Sequence, residues 1–196
     1  MVVEKVVANM TSENAANTAF SDGDHKEVLK LLMDNYGDQV YRFCMQMVAD
    51  KNLAEDTHQM TFVQAYEGLG RFKGEASLRT WLFSIARNRC LDALKMTRRR
   101  ERRITLVEEL PEKSENLPAN PEVFGSDLHE GLLKCLQKLA PQARCAVLMR
   151  FQEERSYKEM SQISSDKPAT LQARVTRALP VLRRCLEQGG ITSELL

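Results

Sequence analysis

Between Lys95 and Arg103 the chain carries six positive charges and one negative in nine residues. That density attracts polyanions, nucleic acid above all, unless it is only the solvated end of a helix. A second cationic set has a different spacing. Gln172, Ala173, Arg174, Thr176 and Arg177 stand off the apolar stripe made by Leu171, Val175, Leu179 and Leu182. Arg and Gln on such a face can bond bidentately to guanine and adenine edges in a major groove, which admits an α-helix. Upstream, Ser156-Tyr-Lys-Glu159 reads as a capping box opening a short helix to about Ile163. Ser164-Ser165-Asp166-Lys167 is a turn, and Pro168 opens the last helix. A capped helix, a tight turn and a second helix with outward Arg is the pattern of a helix-turn-helix; a helical hairpin with a polar face is the plainer alternative.

Other chemistries find no support. His25, His58 and His129 have no Cys or carboxylate at metal spacing and read as surface residues; no metal or cofactor is expected. Gly70-Arg-Phe-Lys-Gly74 lacks the spacing and preceding strand of a phosphate loop. No nucleophile–base set is recognisable, so the chain is not expected to be an enzyme. The five cysteines (Cys44, Cys90, Cys135, Cys145, Cys185) have the spacing of neither a disulfide framework nor a zinc site. They read as reduced, packed thiols in a cytoplasmic protein. No apolar run approaches the ~18 residues that span a bilayer, and the N-terminus has no secretory pattern.

Hydrophobic residues make up 43% and charged residues 28% of the 196, which suits a globular chain and excludes a wholly disordered one. The net charge of +1 is segmented: +3 over 22–103, −5 over 104–127 and +4 over 128–196. Two basic blocks around an acidic connector imply two modules and a linker. Residues 1–21 read as disordered. In the first module, Val28, Leu31, Leu32 and Tyr36, then Val40, Phe43, Cys44 and Met47, recur at helical spacing, with a possible break at Gly37-Asp38. Asn52 reads as the cap of a helix running to about Leu69, and Ser77 as the cap of one carrying Leu78, Trp81, Leu82, Ile85 and Leu94. Trp81 belongs to that apolar stripe and reads as core rather than as a stacking platform. The connector over 104–126 holds Pro111, Pro118 and Pro121 and reads as extended and flexible. The second module, 127–188, begins with the stripe Leu128, Leu132, Cys135, Leu136 and Leu139, followed by Pro141 at the first turn of a further helix. Pro180 should kink or end the last helix near Ala178–Leu179, and 189–196 form a tail. The expected fold is all-α: two small helical domains joined by a flexible acidic linker.

Several segments in order resemble the extracytoplasmic-function sigma factors of bacteria. Asn52-Leu-Ala-Glu55-Asp56-Thr-His-Gln59-Met-Thr61-Phe62, Arg71-Phe-Lys-Gly74-Glu-Ala-Ser77-Leu-Arg79-Thr80-Trp81-Leu82 and Ile85-Ala86-Arg87-Asn88 are similar to their region 2. Leu139-Ala-Pro141, Ala146-Val147-Leu148, Ser156-Tyr157-Lys-Glu159 and Thr170 through Arg174 to Arg177-Ala178 are similar to region 4. There are departures: His58 and Met60 replace a usual aliphatic and a usual acid, and Ser164-Ser165 stand where the turn usually has Leu and Gly.

The resemblance implies partners and roles. Core RNA polymerase and promoter DNA would be bound, and an anti-sigma factor would hold the protein off polymerase; no membrane insertion follows. Asp56, Gln59 and Val63 would dock on the polymerase clamp, and their i, i+3, i+7 spacing places them on one helix face. The loop with Phe72, Lys73, Gly74 and Ser77 would hold a base flipped from the −10 strand, at an unstacking cost of a few kcal/mol. Asn88 would contact −10 bases, with Arg79, Arg87 and Arg89 on phosphates. Thr170, Gln172, Ala173, Arg174, Thr176 and Arg177 would read the −35 element. Two alternatives stay open: a helix-turn-helix regulator that never touches polymerase, and a degenerate sigma-like protein acting only through protein contacts.

Overall fold

A computed structural model describes residues 14–105 and 127–190, and these form eight α-helices with no strand among them. In chain order they are α1 (residues 14–21), α2 (His25–Val48), α3 (Lys51–Leu69), α4 (Leu78–Thr105), α5 (Asp127–Gln137), α6 (Pro141–Phe151), α7 (Tyr157–Ser164) and α8 (Pro168–Gln188). Helices α1–α4 make one module and α5–α8 the other. Most of the expected linker (106–126), residues 1–13 and the tail beyond residue 190 lie outside the described residues.

The expected disorder fails at 14–21, which is helical. Ala16 and Ala19 are buried there, and the Phe20 ring meets Phe72 edge-on at 5.3 Å. A distant partner supplies the order that local composition lacks. Asp24 caps α2, accepting from the Glu27 amide at 3.0 Å. Val28, Leu32, Tyr36, Val40, Phe43 and Met47 line its buried stripe. The helix passes through Gly37 without a break. Tyr36 and Val40 bury one turn apart on that stripe, and their burial, at ~1.5–3 kcal/mol per large side chain, exceeds the ~1 kcal/mol that glycine costs a helix.

The cap of α3 is Asp50 rather than Asn52: its carboxylate accepts from the Leu53 amide at 2.7 Å. Ser77 caps α4 as expected, accepting from the Thr80 amide at 3.1 Å. Leu78, Leu82, Phe83, Ala86 and Cys90 bury against α2, where Phe83 meets Phe43 edge-on at 5.8 Å. Trp81 packs as a structural residue. A Cβ at Gly68 would stand 3.0 Å from its ring, so the close approach of α3 to α4 there favours glycine.

In the second module Pro141 and Pro168 stand at helix starts. Ser156 and Glu159 form both bonds of the capping box before α7. The helix α8 does not end at Pro180. Leu182 and Cys185 beyond it are buried, and Cys185 is disulfide-bonded to Cys135 of α5, with Cα atoms 5.7 Å apart. This corrects the reading of all five cysteines as reduced thiols. The pairing spans 50 residues and exists only because α5 packs on α8, so no spacing rule reveals it. Cys44, Cys90 and Cys145 are buried thiols, as expected. The Cys90 thiol donates to the Cys44 sulfur at 3.7 Å; that contact and burial push its pKa well up, so it is no ready thiolate.

Ser165 ends α7 in the left-handed region, at φ +59°. A side chain there costs on the order of 1 kcal/mol, which glycine avoids. Ser165→Gly is therefore expected to stabilise the second module by about 1 kcal/mol. Urea unfolding followed by circular dichroism measures it; a lower midpoint would mean that the Ser165 side chain contributes more than its backbone strain removes.

The modules pack on each other, α7 on α4 and α5 and α6 on α2. Buried Arg144 of α6 donates to the carbonyls of Leu136 (2.9 Å), Gln137 (3.1 Å) and Leu139 (3.3 Å), and across the junction to that of Met47. Burial, with some repulsion from Arg98, lowers its pKa to about 10, so it stays charged at neutral pH.

Candidate functional site

Three surfaces gather the residues with chemical potential. The first is the outer face of α3. Asp56, Gln59 and Val63 are all exposed on it, together with Met60 and Tyr66. Two polar groups within an apolar patch have the make-up of a protein-docking surface. A shallow groove of about 610 Å³ beside this face is lined by Asp56 and Met60 on α3 and by Arg89, Met96 and Arg100 on α4. His58 is not a surface residue. Its Nε2 lies 3.2 Å from the Gly37 carbonyl, its ring sits edge-on to Tyr41 and Phe62, and burial lowers its pKa.

The second surface is the loop before α4 together with the middle of that helix. Gly74 has φ +71°, a conformation that suits glycine. Lys73, Gly74 and Ser77 are exposed. Phe72 is half-buried rather than free: its ring lies 5.1 Å from Trp81 and 5.3 Å from Phe20. A cleft of about 710 Å³ gathers Arg87, Asn88 and Arg89 with Gln64, Lys95 and Arg98, and Pro141 and Gln142 of the second module close its far side. Arg87 donates to the Asn88 side-chain oxygen at 2.9 Å, and Arg89 to that of Gln64 at 2.7 Å. Gln64 had no sequence signal, since only the packing of α3 on α4 brings it to Arg89. Arg79 does not join the cleft. It points into the junction between the modules, 3.1 Å from Gln39 and 3.3 Å from Glu153.

The third surface is α8. Thr170, Gln172, Thr176 and Arg177 are exposed on it, while Ala173 and Arg174 are half-buried. Arg174 donates to Asp166 in the preceding turn at 2.9 Å, and this bond holds the Asp166 carboxyl below its usual range.

Among the described residues no three His, Cys, Asp or Glu side chains converge as a metal site, and no helix is long and apolar enough to cross a membrane. The side chain of His129 lies outside the described residues.

Comparison with known proteins follows the same division. Sigma-70 region 2 matches residues 32–100, and sigma-70 region 4 matches residues 129–179. The sigma factor SigM of Bacillus subtilis is 28% identical over 79% of this chain and 92% of its own length. The sigma factor CarQ of Myxococcus xanthus is 29% identical over 85% of this chain and 93% of its own. Among solved structures, the sigma factor RpoE of Bartonella quintana, in complex with the anti-sigma factor NepR, superimposes with a TM-score of 0.65 at 26% identity, covering 81% of this chain and 96% of that one. CnrH in complex with the cytosolic domain of CnrY shares the fold, with a TM-score of 0.64 at 18% identity. Two sigma-70 regions in the family's order, each on one of the two helical modules, make this chain a member of the extracytoplasmic-function sigma factors, which bind core RNA polymerase and direct promoter-specific initiation of transcription.

Proposed function

We propose that the three surfaces divide the work of a sigma factor in the cytoplasm, with no catalytic step of the chain's own. The α3 face with Asp56, Gln59 and Val63 docks on core polymerase. The Lys73–Ser77 loop and the Asn88 cleft engage the −10 strand. The outward side chains of α8 read the −35 element. An anti-sigma factor is the expected antagonist, as with RpoE of Bartonella quintana, which was crystallised with one. The observation that carries this reading is the cleft in which one exposed amide, Asn88, stands between Arg87 and Arg89. Arginines hold phosphates whatever the sequence, whereas an amide can discriminate base edges.

The test is transcription in vitro with purified core polymerase on promoters varied at each −10 and −35 position. Asn88→Ala is expected to change the preference at one −10 position by ~1–3 kcal/mol, the size of a lost bidentate base contact. Arg87→Ala is expected to weaken all promoters about equally. Uniform loss with Asn88→Ala, or none, would move base reading to the loop. A protein that bound duplex DNA but gave no transcript with core polymerase would leave only the helix-turn-helix regulator.

A further inference from the structure

The loop before α4 has two anchors and little between them. Among the described residues, no main-chain hydrogen bond involves Lys73, Gly74, Glu75 or Ala76. At one end Ser77 is fixed by its role as the cap of α4, its hydroxyl accepting from the Thr80 amide. At the other end the Phe72 amide donates to the Leu69 carbonyl at 3.1 Å. The rest of the hold on Phe72 is aromatic. Its ring lies between Trp81 of α4 and Phe20 of α1, the latter meeting it edge-on. Such edge contacts are favourable beyond the area they bury.

A built turn aims α1 at Phe72. The Asp24 amide donates to the Ala19 carbonyl at 3.0 Å, and the Gly23 amide to that of Phe20 at 3.1 Å. With Gly23 at φ +76°, these two bonds make the Schellman motif that closes a helix. Asp24 is also the cap of α2, so one residue completes the end of α1 and begins the next helix. The angle between the two helices is thereby set. Ala16 and Ala19, both buried, seat α1 on the module, and the His25 ring stacks on Phe20 at 6.3 Å. Phe20 is the one large apolar side chain of α1, and it lies at the base of the loop. So short a helix is marginal by itself, and its order comes from this docking. It belongs to none of the three surfaces described above.

We propose that Phe20 is a positioning residue for −10 recognition: α1 braces the Phe72 ring so that the Lys73–Ser77 loop stands ready for the flipped base. The inference rests on the assignment of that loop to the −10 strand. A loop ordered before binding avoids the ordering cost that would otherwise oppose base capture. Lys73, Gly74 and Glu75 are exposed and have no bonds of their own to order them, so the anchor at Phe72 sets where the loop begins. Phe20 touches no base in this account. It acts through Phe72, as a supporting residue that locks a neighbour's position.

The experiment uses the full chain, with Trp81, its single tryptophan, as the reporter. Acrylamide quenching of Trp81 fluorescence reads how well Phe72 covers that ring. Phe20→Ala should raise the quenching constant, and Phe20→Tyr, which keeps the ring, should restore it. In transcription with purified core polymerase, Phe20→Ala should lower open-complex formation on the preferred promoter about tenfold, the size of a lost aromatic contact. It should also flatten discrimination at the −10 position whose base is flipped, with −35 preferences and core binding unchanged. Gly23→Ala should act in the same direction through backbone strain alone, since a Cβ there meets nothing within 4 Å. It carries the test by itself if Phe20→Ala does not fold. Unchanged quenching in both variants overturns the proposal. So does raised quenching with a wild-type −10 profile, which would leave Phe20 a packing contact only, and so do equal losses at the −10 and −35 elements, which report general instability. A wild-type protein without any −10 preference would refute the promoter-reading assignment itself, and the proposal with it. The quenching series needs neither polymerase nor DNA, so that failure is distinguishable from the absence of the brace.

Discussion

Core RNA polymerase is expected to bind the Asp56→Ala, Gln59→Ala double variant about a hundredfold more weakly than the wild type. Both side chains are exposed on α3, beside Met60, Val63 and Tyr66, so neither supports the core and both are available to a partner. Truncating residues at the centre of a docking patch costs ~2 kcal/mol or more when they are hot spots, and ~2.7 kcal/mol corresponds to a hundredfold. Met60 makes the patch more apolar than an acid at that position would. The loss should therefore appear chiefly as faster dissociation, with little change in the salt-dependent association rate. Surface interferometry with immobilised core enzyme measures both rates, and an unchanged helical circular dichroism spectrum excludes misfolding. Wild-type affinity in the double variant would remove this face from the docking surface.

The second large effect concerns the Cys135–Cys185 bridge. Cross-linking residues 50 apart removes chain entropy from the unfolded state. In the chain-entropy account a loop of that size is worth about 4 kcal/mol. Replacing both cysteines by serine is expected to destabilise region 4 by about that amount and to leave region 2 unaffected. Hydrogen exchange resolved along the chain reads the two regions separately: protection should fall in α8 and persist in α2. Reduction of the wild type with dithiothreitol should reproduce the pattern, and identical protection with and without the reductant would mean that the bridge does not form in solution. The bridge matters because a disulfide persists in an oxidising compartment and is lost in a reducing one. The stability of the −35-reading region would then follow the thiol balance of its surroundings.

Local signals in the sequence translated well into helices, and non-local ones did not. Ser77, Ser156, Pro141 and Pro168 open helices because capping and first-turn geometry depend on a few adjacent residues. Gly37 and Pro180 looked like breaks because their local penalties are real. Tyr36 and Val40 in one case, and Leu182 and Cys185 in the other, outweigh those penalties through burial that no neighbouring residue announces. The site divides the same way. Asp56, Gln59 and Val63 share a face by helical arithmetic alone. Arg79 looks equally available in the sequence, yet it faces Glu153, 74 residues later. Arg144 did leave a trace: a single cation within the apolar run Ala143–Met149 is the signature of a buried charge with dedicated partners.

Arg144 donates to four main-chain carbonyls: Leu136, Gln137 and Leu139 within region 4, and Met47 across the junction. A carbonyl is present whatever side chain its residue carries. The four accepting positions can thus drift through substitutions of similar shape without losing their bonds, while position 144 itself cannot. Lysine would supply one ammonium in place of a planar fork that reaches several oxygens at once. Selection on this set of bonds therefore falls on a single codon. A lineage could lose these four bonds in one mutational step, whereas regaining them needs an arginine at this position with the helices already in place.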